Sequence, residues 1–189
     1  MNCKIVVLYF SKNGSTQSIA KHIARGIESV EGCEAMLRTV DGLNKDTDPQ
    51  DPIITIEELK NCDGLAMGSP VWFGNMAAPL KHFWDQTSSL WIAGSLIDKP
   101  ACVFTSSSSM HGGHETTLQT MMLPLLHHGM MIMGIPYSEP RLHSTQSGGT
   151  PYGATALSTT SPSLSDDEAF LSKQLGKRLA VTSLKMKRH

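Results

Sequence analysis

A chain of 189 residues, 40% of them hydrophobic, suits one domain that buries roughly 70% of its unfolded surface and needs no disulfide staples. The formal net charge is −1 and the one basic cluster is Lys185, Lys187, Arg188 and His189, which reads as a solvated tail and argues against a nucleic-acid partner. The four cysteines, Cys3, Cys33, Cys62 and Cys102, lack C-x-x-C spacing, so neither a zinc site nor a redox pair is written here, and a reducing cytoplasm suits them.

The run from Ile5 to Phe10 is far short of the about 18 apolar residues that span a bilayer, and it ends in turn residues, not a cleavage site. No other segment comes closer to a membrane span. Lys4–Tyr9 is therefore predicted as a buried strand. After the turn at Ser11-Lys12-Asn13-Gly14, the residues Ile19, Ala20, Ile23, Ala24 and Ile27 recur at helical intervals and predict a helix that stops near Glu31-Gly32. Further strands are expected at Ala35–Val40, Gly64–Gly68, Ala101–Ser106 and Met130–Ile135. Helices are expected near Ala78–Gln86, Glu115–His127 and Asp167–Leu184.

This alternation predicts a single α/β domain over 1–189, a doubly wound five-stranded parallel sheet of order 2-1-3-4-5 with helices on both faces. Two connections exceed that plan. Residues 41–52 hold Asp, Asn, Gly and Pro and read as a mobile surface loop. Residues 136–166 read as an excursion at the active site or a subunit contact, because structureless loops of that length are uncommon in a compact domain; a plain surface loop also accounts for its Gly and Pro.

In such sheets ligands sit beyond the carboxyl ends of the strands, at the switch point. The first loop there, Ser11, Lys12, Asn13, Gly14, Ser15 and Thr16, sets hydroxyls and backbone N–H groups at the positive end of a helix, a cradle for a monoester phosphate. Neither G-x-x-x-x-G-K-[ST] nor G-x-G-x-x-G is present, and an ordinary capped helix start accounts for the same residues. The loop after the third strand, Pro70, Val71, Trp72, Phe73, Gly74 and Asn75, offers aromatics and close backbone to a flat heteroaromatic ring; satellite packing is its plainer reading. The loop after the fourth strand runs from Ser106, Ser107 and Ser108 to Gly112 and Gly113 and suits the other edge of such a ring. His111 and His114 lack a third ligand apart from the adjacent Glu115, so no metal site is expected. His127 and His128 end a predicted helix, where an imidazole titrates near neutral pH; one is a candidate proton donor, and capping or structural roles fit both.

Taken together, Tyr9-Phe10-Ser11 with Gly14 and Thr16, Gly74-Asn75-Met76, Asp85-Gln86-Thr87, Leu90-Trp91, Gly112-Gly113 with Glu115, His127-His128-Gly129-Met130 and the run Gly149-Thr150-Pro151-Tyr152-Gly153-Ala154-Thr155 closely resemble the WrbA family of NAD(P)H:quinone oxidoreductases, from the first strand to about Thr155. The resemblance implies a flavodoxin-like subunit that binds FMN, takes two electrons from NADH or NADPH, passes them to quinones by ping-pong hydride transfer and assembles as a homotetramer. By position it implies the phosphate loop at Ser11–Thr16, ring-binding loops at Val71–Phe73 and from Ser106, His127 beside the flavin as the catalytic residue, and Trp91 as an aromatic lining of the substrate pocket. Asn13 falls where the family approaches the nicotinamide. Val71-Trp72 replaces a Thr-Arg pair common in the family, so that guanidinium contact is lost, and Phe73 with Trp91 is expected to stack on substrate.

Two other classes compete. A one-electron carrier of flavodoxin type is expected to be strongly acidic, unlike this chain. A non-catalytic interaction protein is expected to show a recognition helix or a basic face, and neither is legible.

Overall fold

The computed structural model describes residues 2–43, 51–158 and 162–187. In chain order the elements are β1 (Cys3–Tyr9), α1 (Ser15–Glu28), β2 (Cys33–Thr39), α2 (Ile56–Asn61), β3 (Gly64–Pro70), α3 (Ala78–Asp85), α4 (Ser88–Ile92), β4 (Pro100–Ser107), α5 (His114–His127), β5 (Met131–Ile132), α6 (Arg141–Ser144), β6 (Ala154–Leu157) and α7 (Asp166–Lys187). The strands pair in parallel in the order β2-β1-β3-β4-β5, with β6 also on β4.

The central strands carry continuous apolar runs because helices cover both faces, and alternate side chains feed two separate cores. Val6, Leu8, Leu65, Met67 and Val103 pack against Leu80 and Trp84 of α3 and Leu118, Met121 and Leu125 of α5. Ile5, Val7, Ala66 and Phe104 face Ile19, Ile23 and Ile27 of α1 and Leu171, Leu175 and Leu179 of α7. Each fully buried Leu or Ile contributes roughly 1.5–3 kcal/mol. Helices α1 and α7 touch backbone to backbone through reciprocal glycines: a Cβ at Gly26 would lie 2.1 Å from the Lys173 carbonyl oxygen, and one at Gly176 2.1 Å from that of Ile23.

The sheet departs from the five-strand expectation at its far edge. The predicted strand Met130–Ile135 shrinks to Met131–Ile132, paired with Pro100 and Ala101. Beyond that point the edge of β4 is taken by β6, whose residues Ala154 to Leu157 pair with Phe104 to Ser107. A sixth strand therefore comes from the long excursion, which also holds α6 and a Thr150–Gly153 bridge. The excursion is anchored by Glu168, a buried carboxylate that accepts from the amides of Gly148, Leu157 and Ser165 at 2.8, 2.7 and 2.8 Å. With the return bond from the Glu168 amide to the Ser165 hydroxyl, Ser165 and Glu168 form a capping box at the start of α7.

Two smaller expectations also change. Helix α1 ends at Glu28, with Ser29 as its cap, short of the predicted stop at Glu31-Gly32. Lys187 is not a free tail residue, since its ammonium donates to the Asn2 carbonyl at 3.0 Å and pairs with Asp63 at 2.7 Å; Arg188 and His189 lie outside the described residues. Residues 44–50 of the predicted mobile loop also lie outside them, while Asp51 at its far end accepts the Tyr9 hydroxyl proton. Helix α2 was not predicted, although Thr55 and Glu58 form a capping box, the S/T-x-x-E signature that marks a helix start. Among the described residues no helix is long and apolar enough to cross a membrane.

Candidate functional site

The carboxyl ends of β1, β3 and β4 deliver three loops to one edge of the sheet, and between them lies a cavity of about 220 Å³. Ser11, Lys12, Asn13, Ser15 and Thr16 line it from the first loop, Pro70, Val71 and Trp72 from the second, and Ser106, Ser107 and Ser108 from the third. Eleven residues singled out from sequence thus meet in one place. The remaining member is Ser158, which sequence reasoning missed because no motif surrounds it. It arrives on the register of β6, where its amide donates to the Ser107 carbonyl at 2.8 Å.

The local geometry suits an anion. Gly14 takes a left-handed φ of 88° as the residue before α1, and no side chain caps the helix. Its own amide is held by the Ser11 hydroxyl at 3.1 Å, and the first helical bond runs from Ser18 to the Gly14 carbonyl. The amides of Ser15, Thr16 and Gln17 consequently have no protein acceptor among the described residues, at the positive end of the helix dipole. Among the described residues Lys12 is the only charged one in the lining, and none of the lining residues is a carboxylate. An uncapped helix end, a ring of hydroxyls and one ammonium are the donor set that a phosphate monoester requires.

The second loop is a two-residue hairpin. Trp72 and Asn75 exchange both backbone bonds, at 2.9 and 3.1 Å, and the residues between them, Phe73 and Gly74, have φ of 54° and 73°. That is the positive-φ pair of a type I′ turn, which ordinarily holds Asn-Gly. Phe73 accepts a strained backbone and leaves its ring fully exposed. Trp72 is steadied by an edge-on contact with Phe10, ring centres 5.6 Å apart. The third loop presses close: a Cβ at Gly113 would meet the Gly74 Cα at 3.3 Å, and one at Gly112 would meet the Ser107 hydroxyl at 2.2 Å. Gly113, φ 103°, precedes α5, a second helix without a side-chain cap. Two uncapped helix starts and a strained aromatic hairpin therefore border one edge.

Other residues named from sequence lie outside this lining. His127 is the exposed last residue of α5, and Trp91 is exposed on α4. The neighbouring His128 is buried against Trp84, ring centres 5.4 Å apart. Thr87 donates its hydroxyl proton to the Trp84 carbonyl at 2.7 Å, so it accepts from His128 Nε2 at 2.9 Å. This makes Nδ1 the bare nitrogen, and it has no partner among the described residues. Burial, reinforced by His127, holds the His128 imidazole below the ordinary histidine range. His114 is likewise buried, bonded through Nε2 to the Ala156 carbonyl at 3.1 Å, a tie between α5 and β6.

A family model described as NADPH-dependent FMN reductase matches residues 3–138. The chain belongs to this family. The match runs through all three loops and stops at the start of the excursion. A protein of Trichlorobacter lovleyi named NAD(P)H dehydrogenase (quinone) is 40% identical over 82% of this chain and 83% of its own. One of the same name from Chromohalobacter salexigens is 37% identical over 97% of this chain and 98% of its own. Among solved structures, a flavodoxin, WrbA-like protein from Agrobacterium tumefaciens superposes with a TM-score of 0.74 at 24% identity, covering 97% of this chain and 99% of that one. A flavodoxin from the domain Archaea gives 0.68 at 22%, covering 96% and 99%; both share the flavodoxin-like fold. FMN fits the residues present in this FMN reductase family member, since its phosphate matches the carboxylate-free donor set of the cavity.

Proposed function

We propose that this protein is an FMN-dependent NAD(P)H:quinone oxidoreductase. The observation that carries the reading is the uncapped start of α1 opening into a hydroxyl-lined cavity with no carboxylate among its described residues, in a chain 40% identical to a protein named NAD(P)H dehydrogenase (quinone). When bound there, FMN would supply the two-electron redox chemistry that links a nicotinamide donor to a quinone acceptor.

The chain's own part is to bind and orient. The amides of Ser15 to Gln17, the hydroxyls of Ser11, Ser15 and Thr16, and Lys12 hold the phosphate. Pro70 to Asn75 and the segment from Ser106 to Gly113 flank the ring with backbone groups. Asn13 lies on the nicotinamide approach. Phe73 stacks on incoming substrate, and this role explains why a strained position carries an exposed ring. His127 gives a hydrogen bond or proton to the quinone oxygen.

Trp91 and His127 stand away from the cavity in a single chain, which fits a homotetramer whose sites are completed by neighbouring subunits. Supporting this, Trp91, Ile92, Ile97, Leu123 and Leu126 are all exposed, an apolar surface that association covers. The absence of C-x-x-C spacing among the thiols and the use of nicotinamide donors support a cytoplasmic location.

The test is calorimetry with FMN followed by NADH oxidation with and without benzoquinone. Heat of binding and quinone-dependent turnover with parallel double-reciprocal plots are expected. No FMN uptake by folded protein overturns the reading.

A further inference from the structure

We propose that Cys3 and Cys33 form a modification site, a thiol pair that closes to an intramolecular disulfide on exposure to hydrogen peroxide. The residues open β1 and β2 and are direct partners in the parallel register. Both side chains join the core layer covered by α1 and α7. Neighbouring strands run about 4.7–4.9 Å apart, within the about 4.4–6.8 Å of Cα separation that disulfides bridge. Cys33 donates to the Ala180 carbonyl of α7 at 3.7 Å, which keeps its sulfur on the same covered face of the sheet as that of Cys3.

Position in the sheet makes the closure feasible. Disulfides need Cβ atoms about 3.5–4.5 Å apart, closer than flat strands supply, but the two residues are the first of their strands. Strand β2 is an outer strand whose further bridge, Thr39 to Ile53, lies at its opposite end from Cys33, and the turn before Cys33 pivots on Gly32, φ 82°. The strand ends can therefore draw together without disturbing the rest of the register. A bridge formed with some strain is readily reduced, so the modification is reversible.

Burial orders the chemistry. Cys3 is wholly buried, with its thiol pushed up to about 12, first by desolvation and then by Cys33, whereas Cys33 is only half-buried. Peroxide meets Cys33 first: its thiolate attacks one oxygen, the O–O bond breaks, and the departing hydroxide takes the thiol proton as water, leaving a sulfenic acid. The Cys3 sulfur then attacks that sulfur; the S–S bond forms, the S–O bond breaks, and hydroxide leaves as water with the Cys3 proton. Two thiols are oxidised and one peroxide is reduced to two waters. Cys62, which caps the end of α2, and Cys102 of β4 are both buried and serve as internal controls.

The experiment treats the full chain with hydrogen peroxide, unfolds it with an alkylating agent and maps its peptides by mass under non-reducing conditions. The expected result is a peptide bearing Cys3 linked to one bearing Cys33, half of the four thiols lost, and both effects reversed by dithiothreitol. In Cys33→Ser the link is absent and Cys3 stays a thiol. Over-oxidation of Cys33 without a link, a bridge to Cys62 or Cys102, or four intact thiols overturns the proposal. The wild-type map decides even if the variant does not fold.

Discussion

The hydroxyls of Thr16 and Ser106 lie 2.9 Å apart, buried, although 90 positions separate them in the chain. This single bond ties the first turn of α1 to the end of β4, so the first and third loops are set as one unit. Removing either hydroxyl leaves the other without its partner, at a cost of about 1–3 kcal/mol. Thr16→Val and Ser106→Ala should each lower stability by that order and weaken FMN binding about tenfold, a loss of ~1.4 kcal/mol. The double variant should fall short of the sum, as expected for partners in contact. Denaturant titration and calorimetry check both statements.

Phe73 offers a stability test with the opposite sign. Its φ of 54° is a left-handed conformation that costs a non-glycine residue roughly 1–2 kcal/mol, and its exposed ring forgoes burial. Phe73→Asn should raise the unfolding free energy by about 1 kcal/mol, since Asn-Gly is the preferred I′ pair. The same change should raise KM for benzoquinone. An Asn variant that is less stable would show that the ring holds the hairpin.

Glu168 holds the excursion through three amides, at 2.8, 2.7 and 2.8 Å. Bonds to a charged group contribute about 1.5–3 kcal/mol each, so Glu168→Ala should destabilise by several kcal/mol. Hydrogen exchange at Gly148, Leu157 and Ser165 should accelerate ahead of that of the β1 amides. Uniform acceleration throughout the chain would argue against a local anchor.

His128 makes stability depend on pH. Its folded pKa is depressed by burial, so below the ordinary value of about 6.5 the unfolded chain binds the proton that the folded chain refuses. Stability is then lost as pH falls from about 6.5 toward the lower folded pKa, and none of this loss is felt well above about 6.5. His128→Gln should cost about 1–2 kcal/mol at pH 8 through the lost Thr87 bond, and the gap to wild type should narrow by pH 5.5. A gap that stays constant across that range would mean the imidazole titrates normally.

Much of the site was legible because each loop carries its chemistry in consecutive residues. Ser11 to Thr16 and Pro70 to Trp72 stand out by composition as sheet-edge loops, and residues of both line one cavity, while the doubly wound order follows from alternating apolar runs. The pairing of β4 was not legible, because Met130–Ile135 has the composition of a full strand while only two of its residues pair. Nothing local tells Ala154 to Leu157 that they will displace it; the anchor at Glu168, eleven residues past Leu157, does so through space.

The sequence by itself determined the strands and helices of both cores and the loops that meet at the sheet edge, since side-chain periodicity and turn chemistry act over a few residues. Only the tertiary structure decided that Phe73 is strained and exposed, that His128 and not His127 is buried, and that Cys3 faces Cys33. Strand register and helix packing bring such groups together across tens of residues, and local preference carries no record of which distant atom will be the neighbour.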